Sequence, residues 1–178
     1  PLNGIVGMTE LLVDTPLSTE QREYVRALSL SADNLTELIN DILDISKIEA
    51  GHLDVEKVPV FLPDLLQNVL TSFYNKLHQK SLELHYEFPS NLLVTVMSDP
   101  TRLRQILINL IGNAIKFTEK GHIGVTVTQT ADNFLRFEVE DTGMGIPDHK
   151  IPLLFKKFSQ GDTSTTRKFG GTGLGLAI

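Results

Sequence analysis

The chain has 178 residues, with 41% hydrophobic and 21% charged residues and no cysteine. That is enough chain for a buried core, and the composition excludes a disordered or collagen-like segment, a disulfide scaffold, cysteine-ligated zinc and a thiol nucleophile. Residues 1–60 carry 4 Lys/Arg against 11 Asp/Glu, a net charge of −7, while residues 61–178 carry 12 against 11. An acidic first third argues against a nucleic-acid partner. No apolar run is long enough to span a bilayer and no signal peptide opens the chain. The first residue is Pro1 rather than Met, which points to a piece of a longer protein.

Leu2, Ile5, Val6, Met8, Leu11, Leu12 and Val13 predict a helix over 2–13 that Pro16 breaks. Ser18 followed by Gln21 reads as a capping box opening a second helix, which runs to about Ala50 with Gly51 as its stop. Val25, Leu28, Ala32, Leu35, Ile39 and Ile42 alternate spacings of three and four, the seam of a bundle, widened by Leu38 and Ile45. The second helix should span roughly 45 Å and the first only about 20 Å. Half of that seam therefore has no partner within the chain. A second subunit is expected to cover it, and the first helix is expected to continue upstream of residue 1.

Beyond Leu53 the pattern changes. Leu53, Val55, Val58 and Val60 suggest a short strand, and Pro63 opens a helix over 64–80. Alternation at Leu82, Leu84, Tyr86 and Phe88 predicts a half-buried strand, and Leu92–Met97 another. Ser98 or Asp99 caps a helix that has Pro100 in its first turn and reaches about Phe117. Ile123, Val125 and Val127 form one strand and Leu135, Phe137 and Val139 the next, joined by a hairpin at Ala131-Asp132-Asn133. Without regular βαβ alternation, the expected class is α+β: a helical hairpin followed by an α/β sandwich with helices layered on one mixed sheet.

Four segments carry possible chemistry. Asn109, Asn113 and Lys116 share one helix face, suiting oxygen ligation of Mg²⁺ and contact with a phosphate, although the same spacing also fits a solvated polar face. Asp141-Thr142-Gly143-Met144-Gly145-Ile146 follows a strand; its carboxylate could accept from an exocyclic amine while the glycines let backbone lie against a flat base. Taken alone it is an ordinary tight turn. Phe155 and Phe158 could anchor a mobile loop or belong to the core. Gly170 through Gly175, followed by an apolar start to a helix, form an anion-binding nest that matches neither a P-loop nor a dinucleotide fingerprint. Between the last two lies a polar, basic stretch from Ser159 to Lys168.

In this order, within about 70 residues, these segments resemble the N, G1, F and G2 boxes of the catalytic ATP-binding domain of bacterial-type sensor histidine kinases. The opening Pro1-Leu2-Asn3-Gly4-Ile5 and the stretch Leu43-Asp44-Ile45-Ser46-Lys47-Ile48-Glu49-Ala50-Gly51 resemble the dimerisation and phosphoacceptor hairpin of the same family, and Phe158 through Thr172 is most similar to hybrid-type members. The resemblance implies a hairpin domain over 1–51, a catalytic domain over 52–178, and ATP with Mg²⁺ as cofactors. It implies that Asn113 binds Mg²⁺ with help from Asn109 and that Lys116 reaches a phosphate. Asp141 would bind the adenine amino group, Gly143 and Gly145 would shape the base pocket, and Gly171, Gly173 and Gly175 would offer amides to the phosphates. Arg167 and Lys168 would touch the γ-phosphate.

The implied activity is transfer of the ATP γ-phosphate to a histidine and on to a response-regulator receiver aspartate. The implied assembly is a homodimer through the hairpin, in the cytoplasmic portion of a membrane-anchored sensor. The phosphoacceptor His of the family falls five residues upstream of Pro1, so none of His52, His78, His85, His122 and His149 is expected to be the acceptor; His85 is expected to be simply solvated. The family also continues beyond Ile178, so this span is expected neither to autophosphorylate nor to bind ATP at full strength. Lys157 stands where the aromatic box usually has Pro, and Phe117 where many members have Tyr. Two other readings compete: a non-catalytic module that regulates another kinase by hairpin pairing, and a gyrase- or Hsp90-like ATPase. The latter places Glu where this chain has Asn109, and Asn is no general base at neutral pH.

Overall fold

The computed structural model describes residues 2–89, 95–132, 134–156 and 173–178. The chain divides into two compact units, residues 1–53 and 54–177. The expected positions Leu92–Val94, Asn133, Lys157, Phe158 and the stretch Ser159–Lys168 lie outside the described residues.

The first unit is a helical pair, α1 (Leu2–Val13) and α2 (Thr19–Glu49). The capping box forms: Gln21 N donates to Ser18 Oγ (3.2 Å), and Ser18 N donates to Gln21 Oε1 (2.9 Å). At the far end Gly51 takes φ +67°; its N–H reaches Ile48 O (3.1 Å) and that of His52 reaches Lys47 O (2.8 Å), so two carbonyls left open by the helix end are satisfied. Hydroxyls along the pair bond back to the preceding turn, as Thr9 does to Val6 O and Thr36 to Ala32 O. Val25 and Ala32 of the predicted seam are buried, whereas Leu28, Leu35, Ile39 and Ile42 remain 42–53% exposed.

The second unit contains β1 (Val58–Phe61), α3 (Leu62–Ser72), α4 (Tyr74–Lys80), β2 (Glu83–Glu87), β3 (Thr95–Ser98), α5 (Pro100–Phe117), β4 (His122–Gln129) and β5 (Leu135–Asp141), then a 3₁₀ turn at Asp148–Leu153. Among the described residues there are two sheets instead of one mixed sheet: antiparallel β1–β3, and a three-stranded sheet in the order β2–β4–β5 with β2 parallel and β5 antiparallel to β4. Alternation in β4 sends Ile123, Val125 and Val127 fully into the core, where they join Leu62, Leu66 and Val69 of α3 and Leu107 and Ile111 of α5.

Two further expectations are corrected. The first strand begins only at Val58, because Glu56 N is drawn to the Asp99 carboxylate (3.1 Å) instead of to a sheet neighbour. The helix over 64–80 is interrupted at Phe73, whose buried ring packs against Gly112 of α5, at an ordinary van der Waals distance of 3.8 Å from that glycine's would-be Cβ.

Asp99 is the N-cap of α5. Its Oδ1 accepts from Thr101 N (2.9 Å) and Arg102 N (3.0 Å), while Oδ2 accepts from Glu56 N. These bonds, that from Arg102 N foremost, hold its pKa below the ordinary carboxylate value against the opposing effect of burial. A carboxyl with a lowered folded pKa contributes stability that is complete above its unfolded pKa and vanishes as pH falls through the folded value. Asp99→Ala is therefore expected to lower the melting temperature at pH 7 and to flatten the acid limb of the stability profile. Asp99→Asn, which can cap but offers an amide to Glu56 N, should recover only part. Thermal melts from pH 7 to pH 2 check this.

Candidate functional site

Helix α5 carries Asn109, Asn113 and Lys116, all half-buried, on the side away from Leu107, Ile111, Ala114 and Ile115. Two other segments of the second unit are attached to this helix. At its middle, Asn109 Nδ2 donates to Gly175 O (3.0 Å), and a Cβ at Gly175 would sit only 3.2 Å from Asn109 Oδ1. Gly173 takes φ +70°, and Leu174 between the two glycines is buried. The cradle thus needs small residues for two reasons: close approach at Gly175 and a left-handed backbone at Gly173.

At the C-terminal end of α5 stands the Asp141 loop. Asp141 Oδ1 accepts from Gly143 N (2.8 Å) and lies 3.5 Å from the hydroxyl of fully buried Thr118. Gly143 presses on the helix end, since a Cβ there would be 2.6 Å from Phe117 O and 2.7 Å from Asp141 Oδ1. Met144 N donates to the same Phe117 carbonyl (3.4 Å). Gly145 has φ +68° and open space about it. The loop is also clamped to β4: Thr142 Oγ1 accepts from His122 N (3.0 Å), and Thr142 N and Oγ1 both donate to His122 O (3.3 Å). A side chain at Gly121, where φ is +116°, would collide with the Thr142 hydroxyl.

From Asn109 to Phe117 the helix rises by roughly 12 Å, about the reach from the base to the outer phosphates of an extended nucleoside triphosphate. The donor set fits Mg²⁺ bound to such a ligand. The Asn109 amide nitrogen is spent on Gly175 O, which leaves its oxygen for a hard cation. Among the described residues nothing hydrogen-bonds the Asn113 carboxamide. Lys116 Nζ lies 5.0 Å from the centre of the Phe117 ring, and burial lowers its pKa, so an anionic neighbour there would be favoured.

Of the sequence-predicted positions, Asn109 and Gly175 meet directly, and Asp141 and Gly143 meet at the helix end. Arg167, Lys168 and Gly171 lie outside the described residues. Phe155 is 70% exposed and so is not core. His85 is not simply solvated: its ring stacks on that of His122 at 4.8 Å, and its Nε2 lies 3.3 Å from Glu83 Oε2. Three participants escape a reading of the sequence, namely Thr118, Thr142 and Gly121. Each acts through a partner twenty or more positions away or through backbone fit, and local spacing reports neither. A shallow depression on the opposite face of the sheet, lined by Gly124, Thr126, Glu138, Val139 and Glu140, presents two carboxylates and is unsuited to phosphates.

Both units resemble known proteins. Residues 1–51 match the His Kinase A (phospho-acceptor) domain, and residues 98–178 match the histidine kinase-, DNA gyrase B- and HSP90-like ATPase family. The chain is 44% identical over 182 residues to the signal transduction histidine-protein kinase BarA of Escherichia coli (strain K12), covering 100% of this chain and 20% of that protein. It aligns with the crystal structure of full-length ShkA in complex with AMPPNP at a TM-score of 0.80 and 39% identity, covering 99% of this chain and 36% of that one. The catalytic domain of histidine kinase ThkA aligns at a TM-score of 0.57 and 30% identity, over 70% of this chain and 76% of that one.

The fold and the paired domains define a two-component kinase core. The chain belongs to the sensor histidine kinases. It spans between 9% and 24% of the length of curated relatives it matches. No helix among the described residues is long and apolar enough to cross a membrane.

Proposed function

We propose that residues 52–178 bind Mg²⁺–ATP along α5 and present its γ-phosphate to a histidine of the phosphoacceptor hairpin to which residues 1–51 belong. The observation that carries this reading is the attachment of both the glycine cradle and the Asp141 loop to one helix, through Asn109–Gly175 and Thr118–Asp141. Asp141 would accept from the adenine amino group, with Oδ1 steadied by Gly143 N. Gly143 and Gly145 would let the loop lie against the base. Asn113 and Asn109 would turn carboxamide oxygens to the metal, and Lys116, with Gly171, Gly173 and Gly175, would meet the phosphates. Arg167 and Lys168 would reach the γ-phosphate. When bound, Mg²⁺–ATP supplies the phosphoryl group and the charge neutralisation its transfer needs. Asn109 offers no base to activate water, so the phosphate is kept for a protein nucleophile and then a response-regulator aspartate.

The test uses a chain extended at both ends to the span of its relatives, with labelled ATP and Mg²⁺. Acid-labile phosphate on a histidine of that hairpin is expected. No label on that histidine, with no nucleotide bound, would favour a non-catalytic module.

In the same reading the protein is a homodimer through α1 and α2, in the cytoplasmic portion of a membrane-anchored sensor. The exposed seam of Leu28, Leu35, Ile39 and Ile42 supports pairing. Replacing Ile39 and Ile42 together by Glu removes two apolar anchors, each worth about 1.5–3 kcal/mol when buried, and should raise the dimer dissociation constant at least roughly a hundredfold. Sedimentation equilibrium measures it; an unchanged dimer would place the interface elsewhere.

A further inference from the structure

Lys80 ends α4, a position that by itself would leave a long charged side chain to solvent. Its Nζ instead donates to Ile115 O (2.6 Å), Lys116 O (3.1 Å) and Thr118 O (3.2 Å). An ammonium has three protons, and three carbonyls at the end of α5 take them. These are carbonyls that a helix leaves without intrahelical partners, at the negative end of its dipole.

The pattern of carbonyls matters more than their number. Lys116 O and Thr118 O turn toward Lys80, while Phe117 O, between them, turns the other way. It faces Gly143 and accepts from Met144 N (3.4 Å). Thr118, held through its carbonyl by Lys80 and through its N–H by Ala114 O (3.1 Å), sets its hydroxyl 3.5 Å from Asp141 Oδ1. The peptide frame that Lys80 fixes is therefore the frame on which the Asp141 loop rests.

We propose that Lys80 is a positioning residue for base recognition: by gathering the carbonyls of Ile115, Lys116 and Thr118 it orients Phe117 O and the Thr118 hydroxyl, and through them Asp141. The inference rests on the proposed role of Asp141 toward adenine. Lys80 itself touches neither base nor phosphate. Losing it should loosen the grip on the base while leaving phosphate and metal contacts in place, which a mere stabilising cap would not do.

The experiment titrates the full-length protein with ATP and with inosine triphosphate, which lacks the amino group, in the presence of Mg²⁺, for the wild type, Lys80→Met and Asp141→Asn. Lys80→Met should raise the Kd for ATP about tenfold, the scale of a lost charge-assisted hydrogen bond, and leave that for inosine triphosphate within about twofold. The preference for ATP would then collapse. Lys80→Arg, which keeps the charge, should restore part of it. Should Lys80→Met fail to fold, Lys80→Gln, which keeps two donor protons, reads the same ratio. If Asp141→Asn removes the preference and the Lys80 variants retain it, or weaken both nucleotides equally, the role of Lys80 is refuted. If Asp141→Asn itself retains the preference, the adenine assignment falls and this inference falls with it.

Discussion

Asp141→Asn is expected to weaken Mg²⁺–ATP binding by roughly tenfold to a hundredfold, the cost of about 1.5–3 kcal/mol for losing a hydrogen bond to a charged acceptor. The residue stands exposed at the end of β5, and its Oδ1 is already engaged by Gly143 N at 2.8 Å. A carboxylate there only accepts, whereas a carboxamide brings an N–H₂ group that must face either Gly143 N or the adenine amine. Either way two donors oppose each other. Because the side chain is exposed, the melting temperature should hardly move. Calorimetric titration with a parallel thermal melt separates the two effects, and unchanged affinity would remove Asp141 from the base site.

Gly143→Ala should be comparably damaging for a different reason. The new methyl would stand 2.6 Å from Phe117 O and 2.7 Å from Asp141 Oδ1, too close to either. Forcing the loop off the helix end costs about 1–3 kcal/mol by analogy with overpacked cores, and it displaces Asp141 with it. At least about a tenfold loss of nucleotide affinity is expected. Gly145→Ala is the control. It meets nothing within 4 Å, and its penalty is the φ of +68°, about 1–2 kcal/mol of backbone strain without displacement of the carboxylate. Equal loss of nucleotide in both variants would show that the room Gly145 leaves beside the base matters as much as the contact of Gly143 with Phe117.

What the sequence discloses here is local in origin. Ser18 and Gln21 announce α2, Asp99-Pro100 announces α5, and the alternation at Ile123, Val125 and Val127 gives β4, because caps and burial periodicity act within a few residues. The order of the Asn, Asp-Gly and Gly segments points to the family without any knowledge of the fold. The break at Phe73 is not marked locally by Gly or Pro, and the ring packs against Gly112, nearly forty residues on. The split into two sheets depends on which edges meet, and strand composition does not say. Lys80 shows the limit most sharply. A lysine after His78-Gln79 looks like surface charge, and only the approach of α4 to the end of α5 gives it three carbonyl partners.

In the proposed function α5 is the rail along which a nucleotide lies. A crystal structure of the protein, extended at both ends, with Mg²⁺ and a non-hydrolysable ATP analogue tests it most directly. The adenine amino group should stand within hydrogen-bond distance of Asp141, the metal beside Asn113, and the phosphates against Gly173–Gly175. A nucleotide held on the opposite face of the sheet, or one whose phosphates leave Asn109 and Asn113 untouched, would contradict the account.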